Sequence, residues 1–485
     1  MKTVFRPVAL FLCLLFTAVA ATAQTYSEVY FFSAISGFPS TNFDGWTPEG
    51  GLVESNSVLY GTTYYGGTNG SGAIYSVHTD GTQFKPLYSF SALSGGVYGA
   101  NSDGGLPIDT LLLSSNVLYG TTTTGGSGTY GTVFKINTDG TGFTNFHTFA
   151  ETDGATPMAG LIMSSNVLYG TTTGGGYPYY AGTVFRMNTD GSHFTNLYEF
   201  TAGNDGASPE AALVLSGDTL YGVTATGGSN SGTGVIFSVS TSGKNFTPLF
   251  TFLKVGSGAY GTNATGGTPR TRLVLDGDTL YGAASRGGTN GTGVIYSINT
   301  SGSGFTIVHA FGPGAYNGYG DYTNTDGETP EGDLFLSGDT LYGSTIAGGP
   351  SVNYAGTLFS VNTDGSEFTN VYFFQPIYVD STYIGGSGPF AGPILVSNTL
   401  YGPTTDGGAN STGNIYAITL PGASSAPPSL SFQIVSGSLS LTWTGAASLQ
   451  AASSLGLPFT NVPGATSPYP VTNNAPQQFF RLVGN

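Results

Sequence analysis

Residues 212–252 read ALVLSGDTLYGVTATGGSNSGTGVIFSVSTSGKNFTPLFTF. Alternation of apolar and polar side chains at period two, punctuated by turn-forming residues, divides this stretch into four short strands. Ala212–Leu215 is the first, and Ser216-Gly217-Asp218 makes a tight turn into the second, Thr219–Thr224. A Gly-rich loop leads to the third, Val235–Val239, and the turn Thr241-Ser242-Gly243 leads to the fourth, Phe246–Phe252.

The unit recurs. Leu-Tyr-Gly occurs with its tyrosine at 60, 119, 169, 221, 281, 342 and 401, and a Gly-Gly pair lies six and seven residues beyond each, from Gly66-Gly67 to Gly407-Gly408. A further glycine then precedes an aromatic by three residues, from Gly72 and Tyr75 to Gly413 and Tyr416. Four-stranded units in seven copies are how propeller blades read in sequence, so the expected fold is all-β, a seven-bladed β-propeller over residues 24–422. The seventh copy stops after Ile415–Ile418 and runs into Pro421 without a fourth strand. Tyr26–Phe32 aligns with the fourth strand of the first copy, Phe84–Phe90, so the N-terminal segment is expected to serve as the outer strand of the last blade and close the ring. An open solenoid is the rival architecture; the displaced terminal strand and the absence of polar capping repeats favour the ring. The first strand of each unit is expected innermost, because small residues dominate two and three positions after its leading proline, as in Gly50-Gly51, Ala159-Gly160, Ala211-Ala212 and Ala391-Gly392.

The Leu-Tyr-Gly-Thr-Thr…Gly-Gly…Gly-Thr-Val-Phe…Asp-Gly pattern resembles the GloVer (Gloeobacter/Verrucomicrobia) tandem repeat of secreted bacterial proteins, over about residues 25–420. The resemblance implies export and a propeller-like fold. It brings no reaction and no catalytic residue with it.

The N-terminus agrees with export. Lys2 and Arg6 precede an apolar run from Val8 to Ala21, and Ala21-Thr22-Ala23 is a small-x-small cleavage signal, so residues 1–23 read as a Sec-type signal peptide and the chain is expected outside the cell or on its envelope. The run is too short, and lacks the basic flank, for an anchor. The one cysteine, Cys13, lies within this segment in a poor lipobox, so the rest of the chain reaches an oxidising compartment without disulfides.

With 27 Asp+Glu against 11 Lys+Arg, a net charge of -16 argues against nucleic acid as a partner, since phosphate binding needs clustered basic residues. No metal or cofactor is expected. The four histidines are scattered, the Thr-Asp-Gly turns lack the alternating carboxylates of a calcium loop, and neither a nucleophile elbow nor a phosphate loop is present. A linker at 423–428 leads to residues 429–485, whose short apolar segments, Leu430–Val435, Leu439–Trp443, Ser448–Ala451, Phe459–Val462 and Gln478–Leu482, are expected to form a small C-terminal β-sandwich. A monomer is expected.

Within each unit the turns joining strands one to two and three to four are short and uniform, whereas the connections on the opposite face vary in length. Variable loops on a rigid scaffold are where binding concentrates. They carry Tyr64-Tyr65, Tyr98, Tyr177, Tyr179-Tyr180, Tyr260, Tyr316, Tyr319, Tyr322, Tyr378 and Tyr383 among Gly, Ser and Asn, a composition that offers contact area at low ordering cost. Packing of these tyrosines onto the disc is the alternative. The motif Asp-Gly-x-x-Pro opens the first strand in five units, at Asp44, Asp103, Asp153, Asp205 and Asp326, and reads as a structural turn. The residue after the proline varies: Glu49, Ile108, Met158, Glu210, Arg270, Glu331 and Phe390 are expected to ring the mouth of the central channel on the variable face. A mixed acidic and basic ring suits a polar ligand such as a saccharide or a cation. Glu49, Glu210, Arg270, Glu331, Tyr98, Tyr179, Tyr260, Tyr319 and Tyr322 are therefore the candidate ligand-binding residues. The leading functional expectation is a non-enzymatic extracellular binding propeller for a glycan or protein ligand. The alternative is a polysaccharide hydrolase or lyase using two loop-face carboxylates.

Overall fold

The computed structural model describes residues 24–37, 40–229, 232–258, 260–316, 322–350, 355–375, 377–379, 382–421, 430–435, 438–443, 447–452, 460–462, 465, 469–471 and 479–484. The signal-peptide reading of 1–23 and the linker at 423–428 fall outside them. The chain divides into one unit spanning Tyr26–Thr419 and a second formed by Met1–Thr25 with Leu420–Asn485.

Seven four-stranded antiparallel sheets form the blades of the first unit, and among the described residues three smaller sheets lie in its connections. In blade four the strands are Val214–Ser216, Thr219–Thr224, Val235–Ser240 and Thr247–Thr251, paired in sequence order. The glycine of Leu-Tyr-Gly is required by packing. It pairs directly with the aromatic of the third strand, Gly222 with Phe237 and Gly61 with Tyr75, and that ring lies over it. A Cβ on Gly222 would stand 2.6 Å from Phe237 Cζ.

Blade seven takes its outer strand from the N-terminus: Thr25–Phe31 lies beside Asn414–Thr419, which pairs with Thr399–Thr404 and then Ile394–Val396. The carbonyl of Phe32 accepts hydrogen bonds from Asn410 and Thr412, and Asn414 bonds the Tyr26 hydroxyl.

Two contacts recur at every joint between blades. The glycine before the third strand, held at positive φ, abuts the proline of the next blade, so that a Cβ on Gly234 would meet Pro269 Cδ at 2.6 Å. The seam repeats the arrangement with Gly413 against Pro48, also at 2.6 Å. Farther out, an aromatic of each outer strand stacks on a ring of the next blade: Tyr88 on Phe143 at 3.7 Å, His147 on Phe194 at 3.8 Å, Tyr198 on Phe246 at 3.7 Å, Phe250 on Phe305 at 3.9 Å and His309 on Phe368 at 3.7 Å. Tyr372 on Tyr26 at 4.6 Å and Tyr30 on Phe84 at 3.9 Å complete the set around the N-terminal strand. Such pairs contribute about 0.5–1.5 kcal/mol each beyond the area they bury. The core lies between blades; at the seam it gathers Phe32, Tyr75, Leu52 and Leu59 with Tyr401 and Ile415.

One expectation needs correction. The innermost strand was expected at Ala212–Leu215, but its ladder begins only at Val214. The residue before the proline adopts left-handed φ in every blade: 55° at Thr47, 57° at Leu106, 53° at Thr156, 54° at Ser208, 56° at Thr268, 57° at Thr329 and 64° at Gly388. This turn breaks the extended chain ahead of the strand. Its cost, about 1–3 kcal/mol per non-glycine residue, is offset by backbone bonds to both sides: Thr47 N–H donates to Thr412 O of blade seven and Thr47 O accepts from Tyr64 N–H of its own blade.

In the second unit the described strands form two three-stranded antiparallel sheets. Ser438–Trp443 lies between Leu430–Val435 and Tyr469–Pro470, and Ala447–Ala452 lies between Thr460–Asn461 and Phe479–Gly484.

Candidate functional site

The innermost segments surround a channel cavity of about 810 Å³. All seven residues that follow the prolines line it, namely Glu49, Ile108, Met158, Glu210, Arg270, Glu331 and Phe390. The left-handed turn and the fixed φ of proline set each at the same height in its blade, and the repeat carries them around the axis.

Three of them form one bridge across three successive blades. Arg270 Nε lies 2.9 Å from Glu210 Oε2, and its guanidinium also donates to Glu331 Oε1 at 3.2 Å. Burial raises the pKa of both carboxyls, and Arg270 opposes the rise in each. Glu49 stands apart. Its carboxyl is pushed up to about 7, first by burial and then by the charge of Asp406.

A second tier of charge, missed in the sequence, occupies the small-residue positions deeper in the channel. Arg272 approaches Asp333 at 3.6 Å, and its backbone N–H donates to Asp333 Oδ1 at 2.7 Å. Asp109 accepts backbone hydrogen bonds from Thr110 and Gly160. Its carboxyl is pushed up to about 6 by burial and by Asp333, against the pull of those amides and of Arg272. The available signal was their exception to the pattern, since Gly, Ala or Thr fills the other slots.

The connections after the fourth strand and after the second strand run together on one face. Trp46 bridges Tyr65, Gly105 bridges Thr124, Ala207 bridges Thr226 and Gly267 bridges Arg286, each as an isolated antiparallel pair. Among the described residues the large apolar side chains that stand exposed, Ile35, Phe43, Val97, Tyr98, Tyr177, Tyr179, Tyr180, Leu253 and Phe390, all belong to these connections or to the channel mouth.

The candidate tyrosines separate. Tyr98 is 81% exposed and adds its influence to that of Glu49 on Tyr64 and Tyr65. Trp46 stacks on Tyr65 at 4.8 Å, and Tyr64 meets Tyr65 edge-on at 4.5 Å. Tyr64 is pushed up to about 12, by burial first and then by Tyr65 and Glu49. Tyr260 hydrogen-bonds Glu328, a buried carboxyl whose pKa is raised by burial and whose Oε2 has no partner among the described residues. Tyr179, 57% exposed, lies with Tyr177 and Tyr180 in the blade-three loop and does not line the cavity. Tyr322 begins the strand Tyr322–Glu328. Tyr319 lies outside the described residues.

The Asp-Gly aspartates do structural work. Asp44 accepts from the Tyr30 hydroxyl at 2.7 Å and from Ser33 N–H at 2.9 Å, Asp103 from Tyr88 at 2.8 Å, and Asp205 from Tyr198 at 3.0 Å. In blades two and five a histidine replaces the tyrosine, with His147 and His309 each 3.5 Å from Asp153 and Asp326. Among the described residues no group of His, Cys, Asp and Glu could hold a metal ion, and no helix is long and apolar enough to cross a membrane.

No curated protein matches this sequence. Similar solved structures include an oligogalacturonate lyase from Vibrio parahaemolyticus, at 9% identity and TM-score 0.47 over 83% of this chain and 98% of that one. A polysaccharide lyase described as a PL25 ulvan lyase has 12% identity and TM-score 0.46 over 82% and 96%. The GH74 enzyme of Niastella koreensis has 14% identity and TM-score 0.44 over 90% and 68%. The model of the Gloeobacter/Verrucomicrobia repeat matches residues 22–178 and 110–322, the stretch that carries the first five Leu-Tyr-Gly units. With that match over more than half its length, and with each repeat folded as one blade, the chain belongs to the Gloeobacter/Verrucomicrobia repeat family.

Proposed function

We propose that this protein is exported and acts as a non-enzymatic binding propeller, taking an extracellular ligand, with a glycan favoured, over the channel mouth on the loop face. The observation that carries the reading is the Glu210–Arg270–Glu331 bridge in the wall of a wide cavity. A guanidinium held between two part-buried carboxylates is a rigid polar grip, with donors and acceptors left over for hydroxyl groups, and charge-assisted hydrogen bonds of this kind are the strong ones. A concave site with a few fixed polar groups under an aromatic rim is the usual form of a small-molecule or saccharide site. Cleavage of the apolar leader after Ala23 would deliver the propeller outside the cell; N-terminal sequencing of exported protein should then begin at Gln24.

One observation favours a second reading, a polysaccharide hydrolase or lyase. A carboxyl titrating near 7, as at Glu49, is half protonated at neutral pH and suited to general acid–base catalysis. A polysaccharide array scored separately for retention and for released product decides between them. Retention without product, reduced about tenfold by Glu331→Gln, the order of one charge-assisted hydrogen bond, is expected for binding. Product formation abolished by Glu49→Gln would establish the enzyme instead.

A further inference from the structure

The blade-one side of the mouth has its own chemistry. Trp46 and Tyr65 are stacked, Tyr64 stands edge-on to Tyr65, and the exposed Tyr98 of the next loop is near enough to influence both tyrosines. Glu49, in the adjoining channel wall, is near enough for its charge to act on both Tyr64 and Tyr65, and Asp406 acts on it in turn. Among the described residues no cation pairs with these carboxylates. Of the two arginines lining the cavity, Arg270 is held between Glu210 and Glu331, and Arg272 lies on Asp333.

An anionic ligand would therefore meet two carboxylates and no free guanidinium here. A cation would meet the negative faces of aromatic rings backed by formal negative charge, the combination that binds alkylated ammonium groups. We propose that this quadrant is a binding site for an organic ammonium group, quaternary or alkylated, held against Trp46, Tyr64, Tyr65 and Tyr98 and paired with the Glu49 carboxylate. The assignment rests on the reading of the mouth as a binding site and specifies what one side of it takes.

A quaternary ammonium never titrates, so the pH dependence of its binding reports on the protein. The groups facing Glu49 are Asp406 from blade seven and Tyr64 and Tyr65 from blade one. Asp406 is an exposed carboxylate, and the burial-raised tyrosines stay neutral through the physiological range. Glu49 is the group that changes state there, uncharged below about 7 and charged above it. Ammonium affinity must rise as pH climbs through that value, and binding must release a proton from any Glu49 still protonated.

The test uses choline and tetramethylammonium, with 3,3-dimethylbutanol as the uncharged isostere of choline. Trp46 and Trp443 are the only tryptophans, so in a Trp443→Phe background the indole fluorescence reports on the site itself. Saturable quenching by both cations is expected, with an affinity increase between pH 6 and pH 8 approaching tenfold, the change in ionised fraction of a carboxyl titrating near 7. Glu49→Gln, which preserves shape, should remove the pH dependence and most of the affinity, with thermal unfolding run alongside to check the fold. Equal binding of the alcohol, a flat pH profile in the unsubstituted protein, or no saturable response would overturn the assignment. Glycan retention that depends on Glu331, together with silence towards choline, leaves the mouth a binding site and removes the ammonium subsite; loss of both removes the two readings together.

Discussion

A single hydroxyl distinguishes two kinds of blade. Tyr75, Tyr296 and Tyr416 lie across the Leu-Tyr-Gly glycines of blades one, five and seven, fully buried, and their hydroxyls have no partner among the described residues. In the other four blades the same position holds phenylalanine: Phe134, Phe185, Phe237 and Phe359. An unsatisfied buried hydroxyl costs about 1–3 kcal/mol, and a ring of the same outline without it loses no hydrogen bond. Tyr296→Phe should therefore raise stability by about 1–2 kcal/mol on this scale. Tyr75→Phe and Tyr416→Phe should add nearly independently, because the three rings sit in separate joints. Chemical denaturation midpoints of the three single variants and the triple variant check both claims.

At the scale of elements, the loop latch shows what repeats reveal when compared with one another. Tyr30, Tyr88 and Tyr198 each bond the aspartate that opens the following blade. Between blades four and five both partners change together: Phe250 has no hydroxyl, and Thr265 stands where the aspartate would. Thr265 Oγ1 still accepts the Leu253 N–H at 2.9 Å, so the loop keeps its backbone tie and lacks the side-chain ones, from the tyrosine and from the serine or threonine that Leu253 replaces. Installing both partners, Phe250→Tyr with Thr265→Asp, should show a favourable coupling of about 1 kcal/mol in a double-mutant cycle, with little gain from either change alone. The same comparison explains what was legible in advance. Glu49, Glu210, Arg270 and Glu331 could be placed at one mouth because each follows a proline at a fixed offset, and one pattern repeated seven times determines height. That Arg270 would be held by two glutamates, and that Asp109, Arg272 and Asp333 would form a lower tier, depends on which blades face each other at a given ring radius. No local pattern carries that distance. The late start of the inner strand was hidden for another reason: Thr, Leu and Ser in left-handed turns are unusual before proline, and only Gly388 in the seventh copy hints at the conformation.

At the scale of the molecule, the ring is legible from its count and from its displaced strand, since a missing fourth strand at one end and a surplus one at the other have a single economical resolution. The seam this creates is made of the same parts as the six continuous joints: Gly413 against Pro48 as Gly234 is against Pro269, and Tyr30 on Phe84 as Tyr88 is on Phe143. Physically, then, the protein has no preferred beginning. New termini opened in the exposed connection around Gly95-Gly96, with Thr419 joined to Thr25 by a flexible tether, should give a circular permutant that folds to the same disc. Its melting temperature should stay within a few degrees of that of the uncut ring, whereas a chain lacking residues 24–32 altogether should lose far more. A permutant that fails to fold while expressing well would mean that the order in which blades emerge, rather than the set of joints they finally make, governs how this circle is completed.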